Sequence, residues 1–483
     1  LGFEGLPTFW DLVRSPAEVP AHSTPKCFTK GAGAVPASCA RSLNRPLTAY
    51  DIKGGYDKYS QSYQARYPPL YYEVVGLPSL FPGSTIDIYL MRLVSAAFSA
   101  VFFAFALVAA AVYSRNRFVI VGLLVAATPM AFFLAGVINP SGLEVAAAIA
   151  VWTSGAVLVT ERLAHPPAGL VAIFGTSAAF LESVRPLSPL WLVLIVIVLL
   201  LCAERHALAA ACSSRSLRVA AAAVAFFGAL AIWWIAAVHS TDLYVAGNQP
   251  VPSTVSAATI FRVALAHNAF YIPDMIGVFG WFDTYSPLFT FVVWYALIVL
   301  MVIGAAVRSL RNAFVLALVL LTVLVLPAII VTSHAHANGY TWSGRDMLPI
   351  AVGLPILAGA LFSRGVDRYR LASIARSSTP LVIAFAAVAQ FVAFFEALRR
   401  YAVGSRGPVF GFIVHPSWRP AVGIVGALAL EVLALGALSA LFAWSIRRSD
   451  HDDVEHPARD ELLGPSRGDD ASSVSAATSV EGA

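Results

Sequence analysis

Five short stretches of this chain carry the side chains that could do chemistry, and all are set in long apolar sequence. INPSGLE holds Asn139, Pro140 and Glu144. LESVRP holds Glu182 and Arg185, GWFDTYSP holds Trp281, Asp283 and Tyr285, and SGRDMLP holds Arg345 and Asp346. ARYPPLYYE holds Arg66, Tyr67, Tyr71 and Tyr72. A guanidinium pairs bidentately with phosphate. Arg345 is therefore a candidate ligand for a lipid phosphate, and so is Arg185, with Glu182 three residues earlier on one helix face to orient it. Glu144 follows a helix start that Asn139 can cap and Pro140 can open, where the helix N-terminus favours an anion. It reads either as a capping carboxylate or as one facing a cavity between helices. The plainer alternatives for the others are a structural ion pair for Glu182 and Arg185, a turn for Asp283 as a lone acid near the membrane surface, and a headgroup anchor for Arg345. Trp281, Tyr285 and the tyrosines of the first stretch fit an interfacial aromatic belt. His334 and His336 alternate in SHAHANGYTW, but no third ligand accompanies them in sequence and no metal site is expected.

The elements that must position these residues are membrane spans. Of the 483 residues, 58% are hydrophobic and 12% charged, about half the charged share of a soluble protein. Windows such as MRLVSAAFSAVFFAFALVAAAVY and PAVGIVGALALEVLALGALSALFAW are long enough to cross a hydrocarbon core of about 30 Å as helices. Helix is required because the bilayer offers free backbone groups no partner. The expectation is an all-α integral membrane protein with eleven transmembrane helices, at 87–113, 118–137, 143–162, 168–184, 187–203, 217–238, 286–307, 313–332, 348–363, 378–398 and 421–446.

The basic loops SRNR, ERHALAAACSSRSLR, RSLR, RGVDRYRLASIAR and IRRSD fall on alternate sides of successive spans and so share one face, assigned to the cytoplasm of a plasma-membrane protein. The other face receives 1–86, 139–142, 239–285 and 333–347. It also receives 399–420, whose Arg399, Arg400, Arg406 and Arg419 run against the bias. The organisation is thus a first exterior segment, 1–86, a polytopic domain, 87–446, and a polar cytoplasmic tail, 447–483, expected to be disordered. In the exterior segment Cys27 and Cys39 are expected to pair in a loop of about 13 residues, a bond that contributes about 3 kcal/mol and suits an oxidising compartment. The net charge of +5 sits mostly in the short loops, and no nucleic-acid-binding pattern accompanies it. The chain opens on Leu1 with no cleavable signal sequence in roughly its first 80 residues, which reads as a processed product or as a fragment that lacks an upstream segment; one missing upstream span would bring the count to twelve and both termini inside.

The motifs YPPLYYEVVGLPSL, NPSGLE, GWFDTYSP and SGRDMLPIAVGLP, with CFTKGAGAVPASC, stand in an order that resembles the actinobacterial predicted membrane proteins of domain of unknown function 2142. The resemblance covers about Cys27 to Trp444. Where that family commonly has Gly-Arg-Tyr before Leu-Pro, this chain has Gly344, Arg345 and Asp346. The family is similar to the glycosyltransferase C (GT-C) superfold, whose members move a sugar from a polyprenyl-phosphate carrier to an acceptor on the exterior face. Those enzymes place an acidic motif just after their first span. Glu4 and Asp11 do not form it, so the resemblance implies that it lies upstream of Leu1.

The resemblance further implies Arg66, Arg185 and Arg345 as cations for the leaving phosphate and Glu144 or Asp283 as acid or base. Tyr67, Tyr71, Tyr72, Asn139, Glu182, Trp281, Tyr285 and Asp346 complete the implied substrate-binding set. The partners implied are membrane lipid, a polyprenyl-phosphate sugar donor and an envelope glycan acceptor; a divalent metal is compatible with this chemistry, though no ligand set for it is visible. In this reading RYPPLYY marks where the first exterior loop returns to the membrane. Its prolines bar a helix until they are passed, its tyrosines sit at headgroup depth and stack on sugar rings, and Arg66 approaches a phosphate. A transporter or flippase of lipid-linked precursors would need polar residues deep in several spans, of which Gln390 and Glu431 are the few examples. A non-catalytic scaffold is the remaining alternative.

Overall fold

The computed structural model describes residues 3–4, 11–14, 35–38, 59–80, 86–161, 163, 165–240, 249–362 and 368–455. Cys27 and Cys39, with the expected disulfide, lie outside the described residues, as does the tail from 456 onward.

Among the described residues, eight helices are long and apolar enough to cross a membrane. They are Ile88–Tyr113, Pro140–Thr160, Arg215–Ala237, Leu288–Ala306, Leu310–Asn338, Gly344–Phe362, Ser377–Val403 and Gly423–Ile446. The pair Phe118–Ala126 and Pro129–Ala135 makes a ninth if it counts as one crossing, and Ala168–Glu182 and Ser188–Cys202 are shorter apolar helices. All the expected windows are therefore helical, and the all-α membrane class holds. The shorter two, at 15 residues each, reach about 22 Å, less than a full hydrocarbon core.

The expected continuous helix over 118–137 is broken, with a bend of 65°. Its physical cause is Thr128–Pro129. Thr128 leaves helical geometry and accepts the Ala131 N–H, and Pro129 opens the next helix. The groups freed by the break are met from other helices. The Thr128 hydroxyl donates to the Met275 carbonyl at 3.0 Å, and the Trp294 indole donates to the Val125 carbonyl at 3.0 Å.

Two helices sit at the centre. Nearly nine-tenths of the apolar window of Pro140–Thr160 is buried (89%), and most of that of Gly344–Phe362 (78%), against 11% for Arg215–Ala237 and Gly423–Ile446. Small residues explain the close packing of the central pair. A Cβ on Gly353 would lie 2.4 Å from the Trp152 ring, and one on Gly359 would lie 2.1 Å from the Phe118 carbonyl oxygen of the neighbouring Phe118–Ala126 helix. The Trp152 indole then donates to the Pro349 carbonyl at 2.9 Å, tying the two helices together.

The loop-rich end of the bundle gathers 63–80, 136–142, 183–188, the helices Ala257–Ala266 and Asn268–Gly277, a two-stranded hairpin, Val278–Phe279 with Thr284–Tyr285, and the turn Gly344–Met347. Three short strands, Phe3–Glu4, Asp11–Arg14 and Tyr59–Ser62, pair antiparallel ahead of it. The helix from Leu310 runs to Asn338, so SHAHAN is helical and not the loop that the sequence suggests. His334 bonds the Ile330 carbonyl of its own helix, and His336 bonds Val251, so the two do not share a ligand. Among the described residues no three of His, Cys, Asp and Glu gather as a metal-ligand set. The last helix continues to Glu455, into the polar segment beyond Trp444.

Candidate functional site

The site grows from the N-terminus of the Pro140–Thr160 helix. Asn139 is extended and its side chain accepts the Ser141 N–H, with Pro140 in the first helical position. Asn139 is therefore a cap, occupied by its own helix. One turn further in, Glu144 is completely buried. Its Oε2 accepts from Arg185 Nη1 at 2.9 Å, and its Oε1 accepts from the Ser188 hydroxyl at 2.6 Å. Arg185 uses its other arm on Asp346, Nη2 to Oδ1 at 3.0 Å. Asp346 in turn accepts from the Ser343 hydroxyl at 2.7 Å, and the two form a capping box on the Gly344–Met347 turn. One guanidinium thus joins two carboxylates from segments about 40 and 160 residues away. Burial opposes the charge of Arg185, but Glu144 and Asp346 outweigh it and hold its pKa well above the usual value. The Tyr67 ring lies 5.9 Å from the same guanidinium.

The expected pairing of Glu182 with Arg185 is not formed. The helix stops at Glu182, with Ser183 as its C-cap, so Arg185 stands past the helix end and the three-residue spacing no longer places both on one face. Glu182 turns instead toward Gly228, where a Cβ would meet its Oε2 at 2.8 Å, and it is buried there. It does not orient Arg185.

A third acid joins from the Asn268–Gly277 helix. Asp274 Oδ2 accepts the Gly344 N–H at 3.3 Å, and burial pushes its carboxyl up to about 6. Burial likewise pushes Tyr271 up to about 12, with Asp274 and Asp346 adding to it. The contact needs glycine, because a Cβ on Gly344 would lie 1.9 Å from the Tyr271 carbonyl oxygen. Arg345 projects the other way, its guanidinium 4.6 Å from the centre of the Phe282 ring, a cation–π contact. Among the described residues Arg345 makes no ion pair. It is half-buried and is the cation of this cluster best placed to receive an anion.

The remaining candidates fall elsewhere. Asp283 is not a lone acid. It sits on the hairpin and accepts from Arg400 Nη2 at 2.9 Å and from the Thr284 hydroxyl, and Arg400 is itself buried. Trp281 and Tyr285 flank it, both about half-exposed, as belt residues would be. The first stretch is mostly structural. The Tyr71 ring is fully buried, its hydroxyl pairs with Ser95 at 2.9 Å, and burial pushes that hydroxyl up to about 12. Tyr72 packs edge-on to Tyr71 with ring centres 5.2 Å apart. The Tyr71 ring is thus enclosed by protein, while Tyr72 is only partly buried. The Arg66 backbone carbonyl accepts from the Trp234 indole and the Ser240 hydroxyl, which fixes the place where the chain returns to the bundle.

Sequence reasoning brought Glu144, Arg185, Arg345, Asp346 and Tyr67 forward, and these come together. It missed Ser188, Ser343 and Asp274. Asp274 in FYIPDMIG carried a signal: it is a lone acid in an otherwise uncharged helix. The serines carried none. Chemically the cluster offers an acid whose pKa is close to neutral, a half-buried guanidinium, and a rigid ion-paired frame beneath both.

Comparison with curated proteins and with solved structures returns no match. Residues 14–354 match the family described as predicted membrane proteins, DUF2142. That match takes in every residue of the cluster and more than half of the chain, and it stops before the last two long helices, so the chain belongs to this family of multi-pass membrane proteins.

Proposed function

We propose that the chain is a membrane-embedded glycosyltransferase that takes a sugar from a polyprenyl-phosphate carrier and passes it to an envelope glycan on the exterior face of the plasma membrane. The observation that carries the reading is the convergence of Asp274, Arg345 and the Glu144–Arg185–Asp346 frame at the loop-rich end. Transfer needs a base for the acceptor hydroxyl and a cation for the leaving phosphate. Asp274 takes the acceptor proton as the oxygen attacks the anomeric carbon. The bond from that carbon to the phosphate oxygen breaks, and Arg345 meets the charge on the departing polyprenyl phosphate. Glu144, with both oxygens engaged and no exposure, holds Arg185 and Asp346 in place and touches no substrate. Tyr67 supplies an aromatic face beside Arg185. Asp283, held by Arg400, belongs to the hairpin that carries Phe282 to Arg345.

The test is a transfer assay in lipid nanodiscs with a radiolabelled polyprenyl-phosphate sugar. Release of polyprenyl phosphate should depend on the protein. Asp274→Asn should lower it by about 10²-fold or more, the usual worth of a general base, and Arg345→Gln should lower it comparably. Asp283→Asn should change it little. Carrier that crosses the bilayer without losing its sugar would make the protein a flippase, and absence of both binding and release would leave the scaffold role.

A further inference from the structure

A second site lies on the opposite side of the 129–142 segment. A cavity of about 460 Å³ opens between the start of the Ile86–Tyr113 helix, the Pro129–Ala135 helix and the two C-terminal helices. An adjoining cavity of about 450 Å³ shares Phe132, Gly136 and Leu438 with it and is lined by alanine, leucine and phenylalanine side chains. Together they run from Arg92 to Leu107 on one wall and from Ala427 to Phe442 on the other. Each wall rises through 15 residue steps, about 22 Å of helix. The walls differ in depth: one end is polar and the other wholly apolar.

We propose that this slot holds one acyl chain of a glycerophospholipid with a single net negative charge, its phosphate at Arg92. Arg92 donates two N–H groups to the Gly136 carbonyl, at 3.4 and 3.2 Å. Among the described residues it has no carboxylate partner, and it is the one cation in the lining. One positive charge complements a phosphodiester, whereas a phosphomonoester or diphosphate carries more charge than this end can balance. Trp418 and Tyr401 line the same end, and such rings settle at headgroup depth. Deeper in the same cavity stand Glu431 and Gln390. The Gln390 side chain is nine-tenths buried, and among the described residues its amide oxygen has no partner. With the amide turned over about its last bond, which exchanges its oxygen and nitrogen, Gln390 presents N–H groups to an ester carbonyl of a glycerolipid; a polyisoprenoid chain is hydrocarbon throughout and suits only the apolar end. One wall of the slot, Ser377–Val403 with Gly423–Ile446, falls outside the family match of 14–354. The inference stands apart from the transferase reading.

The full chain would be extracted from nanodiscs holding equal amounts of phosphatidylglycerol and phosphatidylcholine, and the retained lipid counted by native mass spectrometry. One phosphatidylglycerol per chain is expected, in preference to phosphatidylcholine. Arg92→Gln should reduce that preference about fivefold, the worth of one basic residue at an anionic lipid. Ala100→Trp and Ala434→Trp fill the slot from two exposed wall positions and should each remove the bound lipid while leaving thermal unfolding near that of the parent. Equal retention of the two lipids, retention that survives both tryptophans, or a polyprenyl phosphate recovered in place of the phospholipid would overturn the proposal.

Discussion

Arg185 satisfies Glu144 and Asp346 together because a guanidinium presents two Nη groups in a rigid fork. A lysine in its place can follow only one of them. Removing the arginine altogether leaves two buried or half-buried carboxylates facing each other without a cation, and breaking such a pair costs about 3–5 kcal/mol. Arg185→Met should therefore lower the unfolding midpoint far more than Glu144→Gln, which keeps an acceptor for Ser188 and loses only charge. A double-mutant cycle on the two should show coupling well above the few tenths of a kcal/mol found for distant sites. Asp274 makes a second prediction. Burial raises its carboxyl from 3.8 to about 6, so the fold favours its protonated form. Its contribution to stability is whole below 3.8, declines as pH rises toward 6 and is lost above that. Asp274→Asn, which imitates the neutral acid, should flatten that decline in a thermal-unfolding series across the same interval. Transfer should move the opposite way, rising through about pH 6 as the base ionises; a rate that falls through this interval would remove Asp274 from the role. The acids and arginines were legible in the sequence because charge is scarce in apolar stretches. Their pairing was not: LESVRP invites a local bond, and only the helix end at Glu182 sends Arg185 elsewhere.

At the scale of elements, the spans were legible and their ends were not. Hydropathy locates an apolar window, but a helix stops where capping and packing allow. Leu310–Asn338 thus runs through both histidines, and Phe118–Ala135 breaks at Thr128–Pro129. Contacts across long sequence separation decide such places, as in the approach of the Gly344–Met347 turn to the Asn268–Gly277 helix. That approach yields a test. Gly344→Ala introduces a Cβ that would sit 1.9 Å from the Tyr271 carbonyl oxygen, a backbone atom that cannot swing aside. It should destabilise by about 1–3 kcal/mol and, by displacing Asp274 from the Gly344 N–H, lower transfer as well. Gly436→Ala is the control. It meets nothing within 4 Å and replaces a mid-helix glycine, so it should be neutral or stabilising by up to about 1 kcal/mol. Unfolding midpoints of the two variants in one detergent separate a specific close approach from a general intolerance of added volume.

For the whole molecule, the question is which end faces outward. The basic loops lead to the expectation that the end carrying 114–117, 203–214 and 307–309 is cytoplasmic; on that assignment the charged cluster would lie outside. Arg399 and Arg400 run against this, together with Arg406 and Arg419; each of the first two is engaged by an acid, Arg399 by Glu396 at 2.5 Å and Arg400 by Asp283 at 2.9 Å. The bias counts Lys and Arg and not net charge, so these pairs explain how the arginines are held at their places and leave the 399–420 loop as the feature opposed to the assignment. Composition could not reveal the second pair, since the partner of Arg400 lies 117 positions away. The assignment is open to direct measurement. In a background without the four native cysteines, single cysteines at Ser417 and Ser213 occupy exposed positions at opposite ends of the bundle. A membrane-impermeant maleimide added to intact cells should label Ser417→Cys and should reach Ser213→Cys only after the membrane is opened. The reverse pattern would turn the protein over and place Asp274 and Arg345 on the cytoplasmic face. A lipid-linked donor awaiting transfer outside could not meet them there, so this one labelling experiment bears on the transferase proposal before any sugar is tried.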